Sequence, residues 1–217
     1  MGRTTKTIFV RQTRVAAMSG MVVLFLVIWS CGAASASDEE VRQRLVQRNT
    51  CVKCNLSKAN LAGLNLIGAN LEKANLAGAN LEGVMLTGAN LKGARLDGAL
   101  LARANISGAD LSGASLNGAD LQGALASRTN LSFANLAGAT LNGAKLDYAN
   151  LEGTNFRDAT LDGTDCYEAR FVFAEMTGAS LIRADLSVAN FSDASMQDVK
   201  MDASTVCPDF SPGPCRW

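Results

Sequence analysis

The stretch from residue 69 to residue 83 reads Ala69-Asn-Leu-Glu-Lys73, Ala74-Asn-Leu-Ala-Gly78, Ala79-Asn-Leu-Glu-Gly83. Each five-residue unit opens with Ala-Asn-Leu, and the units differ only in their last two residues. The same period extends in both directions along the chain. With the Leu taken as the centre of each unit, 30 centres follow one another at five-residue steps from Leu56 to Met201, and 21 of them are Leu.

A second column lies two residues before the centres and runs from Ala59 to Ser204, with Ala at 23 of its 30 positions. Asn or Asp often separates the two columns, and Gly often follows a centre by two residues. The columns keep the same phase throughout. The pattern therefore predicts one repeating architecture without a slip from Cys51 to Val206.

A period of five fits neither standard element. On an α-helix, successive leucines would lie about 140° apart and spread around the whole surface. In a straight strand, an odd period sends successive leucines to opposite faces. The pattern becomes coherent if the chain turns a corner in every unit, with Ala and Leu pointing inward and Gly and Asn or Asp easing the turns. Stacked coils then bury a continuous core.

The units Ala69-Asn-Leu-Glu-Lys73 and Ala109-Asp-Leu-Ser-Gly113 resemble the pentapeptide-repeat family. The resemblance covers roughly 150 residues of the chain. It implies an all-β fold, a right-handed quadrilateral β-helix (a pentapeptide-repeat solenoid) with four units per coil. Thirty units would make a rod roughly 36 Å long at a spacing of about 4.8 Å per coil. The absence of proline between Cys51 and Val206 agrees, because each coil needs its backbone N–H groups for the ladder.

We divide the chain into four segments. Residues 1–36 form a signal peptide or N-terminal membrane anchor, and residues 37–50 form an N-terminal capping helix. Residues 51–206 form the pentapeptide-repeat β-solenoid, and residues 207–217 form a C-terminal capping tail. Both caps are expected because the open ends of a solenoid expose core and unpaired backbone groups.

The two caps have different sequence signatures. Ser37-Asp-Glu-Glu40 reads as a capping box that opens a helix over residues 38–48. The tail after Val206 contains all three prolines of the chain and is rich in turn residues. Its aromatic residues, Phe210 and Trp217, are the expected lids over the last coil.

The N-terminus has the order of an export signal. Four basic residues and no acid precede an apolar run from Val15 to Trp29, and small residues follow. Ala34-Ser35-Ala36 supplies an A-x-A pattern, which predicts cleavage after Ala36. The apolar span is also long enough to remain as an uncleaved anchor. Ile28-Trp-Ser-Cys31 loosely resembles a bacterial lipobox. All three alternatives place the solenoid outside the cytoplasm, in the periplasm or an equivalent compartment such as a thylakoid lumen.

Four cysteines are disulfide candidates. Cys51 and Cys54 fall on the two inward phases at the start of the solenoid, and Cys207 and Cys215 flank a Pro-Gly turn in the tail. In an oxidising compartment we interpret each pair as a disulfide. Free thiols, a redox motif or half of a metal site remain open for the first pair. The resemblance strengthens the first pairing, since a CxxC before the repeats is similar to a feature of exported pentapeptide-repeat proteins.

Two centres break the column of large apolar residues. Cys166 is expected to be a buried, inert thiol in place of Leu. Ala126 is the one small centre, and Leu125, Arg128 and Thr129 beside it also depart from the pattern. We expect a local distortion or bulge of that coil.

Composition argues against catalysis. The chain has no histidine, which removes the commonest general base and the commonest metal ligand. No convergent catalytic set stands out, so we predict no enzymatic activity, no catalytic residues, no cofactor and no metal.

Charge is balanced overall but not along the rod. Residues 51–145 carry eight Lys and Arg against five Asp and Glu, a net of +3, and residues 146–206 carry four against eleven, a net of −7. The net charge of the whole chain is zero, so we predict no nucleic-acid partner.

These features predict an exported, non-enzymatic scaffold that binds proteins or has a structural role. The protein partner and the oligomeric state stay open, as does membrane attachment through the N-terminal apolar segment. The alternative comes from the resemblance: some cytoplasmic family members are acidic DNA mimics that bind gyrase, a DNA-binding enzyme. The acidic second half is similar to them, whereas the basic first half and the export signal are not.

Overall fold

The computed structural model describes residues 38–215, and within this range one helix is present, α1 (Asp38–Arg48). The expected helix over residues 38–48 is therefore confirmed, while Ser37 of the proposed capping box lies outside the described residues. No continuous strand follows in this range. Instead, 28 isolated parallel bridges link successive coils from Thr50 to Val206, and 27 of them join residues 20 apart. Four five-residue units thus make one coil, which gives the solenoid four sides.

Each corner is a tight turn of constant geometry. The carbonyl of a centre accepts a hydrogen bond from the amide three residues later, as Leu66 O does from Ala69 N at 3.0 Å. The residue two after the centre has a positive φ, for example 64° at Gly68. This combination is that of a type II turn, which requires φ above zero at its third residue. All 30 such positions from Lys53 to Asp198 have φ near +60°, and 14 of them are not glycine.

Neighbouring coils are joined by backbone hydrogen bonds at regular intervals. Leu61 N donates to Asn80 O at 2.8 Å, and Gly63 N donates to Glu82 O at 2.9 Å. In the opposite direction, Asn80 N donates to Ala59 O at 3.0 Å. The same three bonds recur in nearly every unit, so the ladder is satisfied without any long strand.

The two inward columns fill the interior. From Leu61 to Leu186 every centre is buried, and the intervening Ala-column positions are buried beside them, apart from Leu64, which is partly buried. Phe156 and Phe171 are the largest fully buried side chains, and Phe171 stacks on Phe191 with ring centroids 4.5 Å apart. Burying one such side chain stabilises the fold by about 1.5–3 kcal/mol. The core is thus one continuous stack of small and large residues.

The frequent Asn before each centre has a structural cause. Asn70 Oδ1 accepts the amide of Glu72 at 3.2 Å, which holds the following turn in place. Asn90 Nδ2 also donates to Asn70 Oδ1 at 3.2 Å, so asparagines of adjacent coils form a ladder along the outside. Asp fills the acceptor role at other positions, for example Asp110 toward Ser112 N at 2.9 Å.

The predicted unbroken phase is wrong at its last unit. Asp185 pairs with Val206, a separation of 21 residues, so the last unit contains six residues. Ser204 is consequently exposed, and Thr205 takes its place in the core, with Oγ1 donating to Leu181 O at 2.9 Å. The carboxylate of Asp202 accepts the amide of Arg183 at 3.3 Å, a role that a backbone carbonyl has in the other coils.

The predicted distortion at Ala126 is also wrong. Ala126 N donates to Lys145 O at 2.8 Å, and Leu125 bridges both Asn105 and Lys145 in register. The hydroxyl of the buried Thr129 donates a hydrogen bond to Ile106 O, with 2.8 Å between Oγ1 and O. Backbone bonds to the coils on both sides therefore hold this unit in line although its centre is small.

At the N-terminal end, α1 covers the first coil. Leu45 is buried against the core and Val41 packs beside it. The guanidinium of Arg42 donates to Asn60 O at 3.0 Å and to Ala62 O at 3.3 Å, and Asn49 Nδ2 donates to Ile67 O at 2.9 Å. In later coils the equivalent carbonyls accept amides from the preceding coil, but the first coil has no coil before it. Side chains of the cap supply the donors instead.

The C-terminal tail returns toward the last coil, and Val206 forms an antiparallel bridge with Pro212. Phe210 is 65% exposed, so it is not the lid that the sequence predicted. The turn at Phe210, with a φ of 63°, points its ring away from the core. The other expected lid, Trp217, lies outside the described residues, as do the proposed cleavage site, anchor and lipobox. Among residues 38–215, no helix has the length and apolar character needed to cross a membrane.

Candidate functional surfaces

The four candidate cysteines lie in two close pairs. The Sγ atoms of Cys51 and Cys54 are 2.00 Å apart, and those of Cys207 and Cys215 are 2.11 Å apart, both at disulfide distance. One pair lies at the first coil and the other in the tail after the last coil. The structure therefore brings each pair together but keeps the pairs apart. Their oxidised state stays a prediction, which intact mass before and after reduction would check.

Cys166 is enclosed in the core. Burial raises the pKa of its thiol to about 12, although a hydrogen bond with Thr164 Oγ1 at 3.4 Å acts in the opposite direction. Nearby carboxylates of Asp165 and Asp185 add to the rise. Such a thiol is neutral at ordinary pH and unsuited to nucleophilic or redox chemistry. No group of three or more potential ligands is placed to hold a metal ion within the described part of the chain.

A cleft of about 800 Å³ lies between the last coil and the tail. Phe191 and Asn190 form one wall, and Pro208, Pro212 and Pro214 contribute to the other. The lining residue nearest to the C-terminus is Pro214. Among the described residues its lining has one titratable side chain, Asp209, and the hydrogen bond from the Ser211 hydroxyl lowers the pKa of that carboxyl.

One side of the solenoid differs from the other three. We call it the aromatic face, and it carries a bridge column that consists of Thr50, Asn70, Asn90, Asp110, Asn130, Asn150, Arg170 and Asn190. Edge 1 is the row of turns that follows this column, from Val52 and Lys53 to Ser192 and Asp193. Edge 2 is the row of turns that precedes it, from Ile67 and Gly68 to Ser187 and Val188.

All outward-pointing aromatic side chains of the described coils border this face. Phe133 and Phe173 lie on edge 1, two coils apart, and are 68% and 59% exposed. Tyr148 and the half-buried Tyr167 lie on edge 2 in successive coils. Val188 extends the apolar row on edge 2. Four aromatic side chains thus lie on two edges of one side, whereas the exposed apolar side chains of the other sides, such as Met85, Leu100 and Leu125, are aliphatic.

The aromatic side chains are held by neighbours. The ring of Phe133 lies across Gly153, because a Cβ added to that glycine would be 2.7 Å from two ring carbons. The Arg128 guanidinium is 5.3 Å from the centroid of the Tyr148 ring, within range of a cation–π interaction. Tyr148 and Tyr167 meet edge to face with centroids 5.6 Å apart. The rings of Phe133, Tyr148 and Tyr167 are therefore supported within the same chain.

Four of these side chains occupy backbone positions that disfavour them. Phe133, Tyr148, Phe173 and Val188 have φ of 58–59°, where glycine is the usual residue. A non-glycine residue in this region costs about 1–2 kcal/mol. A β-branched residue such as Val188 is especially disfavoured there. The backbone of these residues is strained, and their exposed side chains make no core contact that would offset the strain. This combination points to a role at the surface.

Sequence reasoning missed this surface because it treated the repeat one unit at a time. Residues 20 apart stack on the same side of the solenoid, so a comparison at that spacing places Phe133 in line with Phe173. The same comparison places Tyr148 beside the turn that carries Tyr167. The signal was present in the sequence but required the four-unit coil.

The model of the pentapeptide repeat family matches residues 54–93, 94–132, 127–163 and 169–205. The chain belongs to the pentapeptide repeat family. A comparison of the sequence with curated proteins gives no significant match.

Three solved structures illustrate the likeness. The chain is 29% identical to HetL of the cyanobacterium Nostoc sp. strain PCC 7120, a protein involved in the regulation of heterocyst differentiation; the match covers 76% of this chain and 78% of HetL, with a TM-score of 0.42. It is 19% identical to QnrB1, a plasmid-mediated fluoroquinolone resistance protein, over 70% of this chain and 91% of QnrB1, with a TM-score of 0.56. It is 24% identical to a pentapeptide repeat protein of the Arabidopsis thaliana thylakoid lumen, over 68% and 75% of the two chains, with a TM-score of 0.23. At these identities the likeness to QnrB1 supports the fold.

Proposed function

We propose that this pentapeptide-repeat protein is an exported, non-enzymatic scaffold that acts through protein contacts on the outside of its rod. The observation that carries the proposal is the filled interior. From Leu61 to Leu186 the centres are buried, so the coils hold no internal chamber for a small-molecule substrate. Small-molecule sites are concave and partly apolar. Flat, hydrogen-bonded sides suit the broad contacts of a protein partner instead.

The outer surface supports the same conclusion. Asn ladders such as Asn130 to Asp110, with 3.1 Å between Nδ2 and Oδ1, fix polar groups in a regular array. Regular, ordered side chains lose little conformational freedom when a partner binds, which favours affinity. The rod thus offers preorganised polar sides and one face with aromatic edges.

The export part of the proposal rests on the order of residues 1–36: a basic start, an apolar run and Ala34-Ser35-Ala36. The periplasm, or a thylakoid lumen, is the compartment that this order supports. Paired cysteines at both ends of the solenoid are compatible with an oxidising compartment.

The experiment has two parts. Cell fractionation with intact-mass measurement of the N-terminus tests export, and cleavage after Ala36 is the expected result. Crosslinking in intact cells followed by capture of the full-length protein tests protein contacts. Full-length, unprocessed protein in the cytoplasm would refute export. Absence of any crosslink to a foreign protein would refute the scaffold role.

The second candidate is an acidic DNA mimic that inhibits a DNA-binding enzyme. The specific observation in its favour is the net charge of −7 over residues 146–206. A mimic would be cytoplasmic and would lose its effect when the acidic half is neutralised. The same fractionation decides between the two candidates.

A further inference from the structure

We propose that the aromatic face is the interface of an antiparallel dimer, in which the basic half of one copy packs on the acidic, aromatic half of a second copy. The inference goes beyond the scaffold function and does not depend on any foreign partner. It starts from the unequal halves of the chain, +3 over residues 51–145 and −7 over residues 146–206. A two-fold axis that reverses the rod places each half of one copy against the opposite half of the other.

Edge 1 shows this division most clearly. Its first half carries Lys53, Lys73 and Lys92 against Glu72, a net of +2, and its second half carries Glu152 and Asp193, a net of −2. Lys73 is close to Glu72 at 3.3 Å, and Glu152 pairs with Arg170 at 2.9 Å. By contrast, no ion pair holds Lys53 or Asp193 within residues 38–215. The charges at the two ends of edge 1 are therefore available to a partner.

The spacing of edge 1 allows the two halves to match. A two-fold axis that lies in the interface, perpendicular to the rod, keeps edge 1 against edge 1 and reverses the order of coils. The turn positions then pair about the midpoint of the row. Lys53 meets Asp193 of the second copy, and Lys73 meets Phe173. Gly93 meets Gly153, and Gly113 meets Phe133.

Each of these pairs is chemically favourable. Lys53 with Asp193 is an ion pair, and Lys73 with the exposed ring of Phe173 is a cation–π contact. Gly93 and Gly113 have no side chains beyond the backbone, which leaves room for the ring of Phe133 where it lies across Gly153. Of the two rings on edge 1, Phe133 thus meets glycine and Phe173 meets Lys73.

Edge 2 has the same asymmetry of size. Its first half has glycine at the positive-φ positions of three successive turns, namely Gly68, Gly88 and Gly108. Its second half has Arg128, Tyr148, Glu168 and Val188 at the equivalent positions. With the axis that pairs edge 1 about its midpoint, Tyr148 of one copy falls between the turns of Gly88 and Gly108 of the other. Arg128 lies beside the axis and faces its counterpart in the other copy, so the fit of edge 2 after reversal rests on the ring of Tyr148.

The size of the face sets the expected strength. Eight turns per edge span about 34 Å at about 4.8 Å per coil, and one side of five residues is at most about 17 Å wide. The total footprint is then about 1,150 Å², at the low end for specific interfaces. A dimer of this size is expected to dissociate in the micromolar range. The two Lys53–Asp193 pairs make its formation sensitive to salt.

The first measurement is the molar mass of the full-length protein by light scattering in non-ionic detergent, with N-terminal processing read by intact mass. The expected result is a monomer at about 1 μM and a dimer at about 100 μM. Raising the salt concentration to about 1 M should shift the protein toward monomer, because the Debye length falls to about 3 Å. A monomer at 100 μM in low salt would overturn the proposal.

Charge reversal tests the orientation. Lys53→Asp and Asp193→Lys should each weaken self-association by about tenfold, because both ion pairs of the dimer become like-charge pairs. An equimolar mixture of the two variants should form a heterodimer, since every opposed pair is again of opposite charge. The double variant should self-associate like the unmodified protein. Failure of the mixture to restore the dimer would contradict the antiparallel arrangement.

The chain offers a matched control. Lys58 and Asp198 occupy the same turn position in the same two coils, with φ of 59° and 56°, but on the row of turns that follows edge 1 and lies away from the aromatic face. Lys58→Asp and Asp198→Lys should leave self-association unchanged. Equal weakening by these variants would show a general charge effect and refute the assigned face.

Removal of the rings tests the apolar part. Phe133→Gly and Phe173→Gly remove the side chain at positions whose φ suits glycine, so the fold should be retained, which circular dichroism verifies. Each variant should be monomeric at concentrations at which the unmodified protein is a dimer. Unchanged self-association would exclude these rings from the interface. A dimer in these assays leaves the capture of a foreign protein in cells as a separate result, so the two proposals fail separately.

Discussion

Arg42 supplies hydrogen-bond donors that a preceding coil would otherwise supply, and its removal should destabilise the first coil of the solenoid. In later coils the carbonyls equivalent to Asn60 O and Ala62 O accept backbone amides from the preceding coil, as Asn80 O does from Leu61 N at 2.8 Å. The first coil has no predecessor, and the Arg42 guanidinium reaches both carbonyls at 3.0 and 3.3 Å. The perturbation is Arg42→Ala, which deletes these bonds while alanine maintains the helix propensity of α1.

The magnitude follows from the two contacts. A hydrogen bond from a charged group contributes about 1.5–3 kcal/mol, and the partial exposure and greater length of the second bond reduce the sum. We expect the first coil to open more easily by about 1–2 kcal/mol, a factor of about 5–30 in the opening equilibrium. Because a solenoid is stabilised by contacts between neighbours, the effect should fade within the next coils.

Hydrogen exchange read by mass spectrometry is the suitable assay, since it resolves individual coils. Peptides that contain the amides of Leu61 and Gly63 should exchange about 5–30 times faster in the variant, while peptides beyond residue 100 should not change. Arg44→Ala is the matched control, because Arg44 pairs only with Glu40 on the exposed side of α1 and should cost about 0.3–0.5 kcal/mol. Equal effects of the two variants, or no effect of Arg42→Ala, would refute the capping role.

Three further predictions concern the coils. Leu111→Ala, at a fully buried centre held by backbone bonds on both sides, should lower the free energy of unfolding by about 3–5 kcal/mol in urea, against less than about 0.5 kcal/mol for Ser112→Ala next to it. Gly118→Ala should cost about 1 kcal/mol in the same titration, because its φ is +60° although no atom lies within 4 Å of the new Cβ; an unchanged midpoint would contradict the turn geometry. Cys166 should resist alkylation at pH 8 until the protein is unfolded. Since its folded pKa of about 12 exceeds the ordinary 9.0, its contribution to stability, measured against Cys166→Ala, should be full below pH 9 and fall as the pH rises from 9 to 12.

The repeat predicted the core because inward positions tolerate little variation. A centre such as Leu91 contacts side chains of the coils above and below, so the requirement for a large apolar residue recurs every five residues. The sixth residue of the last unit was not predictable from the period. Met201 still satisfies the pattern, and the structure shows where the phase moves through the Asp185–Val206 bridge and the hydroxyl of Thr205 bonded to Leu181 O. A terminal unit has one neighbouring coil instead of two and can accommodate such an insertion.

The local distortion at Ala126 was expected from side-chain volume alone. Backbone bonds from Ala126 N to Lys145 O and from Leu125 N to Ala104 O hold the unit regardless of the side chain. In this fold the ladder determines the path of the chain, and the core residues determine its stability. Predictions of position from periodicity therefore hold better than predictions of distortion from single residues.

The aromatic face was not predicted because the turn residues that replace glycine follow no five-residue period. Glycine at the third residue of each turn avoids backbone strain. The 14 turns of 30 that have another residue there differ from one another, and they give each side of the rod its own surface. Most exceptions are charged and solvated. Phe133, Tyr148, Phe173 and Val188 are apolar, and all four border the same side. Their placement follows from the four-unit coil together with the sequence, and neither alone shows it.

The antiparallel pairing also bears on the three readings of the N-terminus. In such a dimer the two α1 helices lie at opposite ends, about 34 Å apart along the pair. Chains cleaved after Ala36 could form this pair freely. Two chains that each keep a membrane anchor would carry their anchors at opposite ends, and a single flat membrane could not hold both with the rods upright. The proposed dimer therefore requires cleaved chains, or anchored chains whose rods lie along the membrane. A chain made uncleavable by Ala36→Leu should still dimerise after extraction into detergent, and a monomer there would contradict the assigned face.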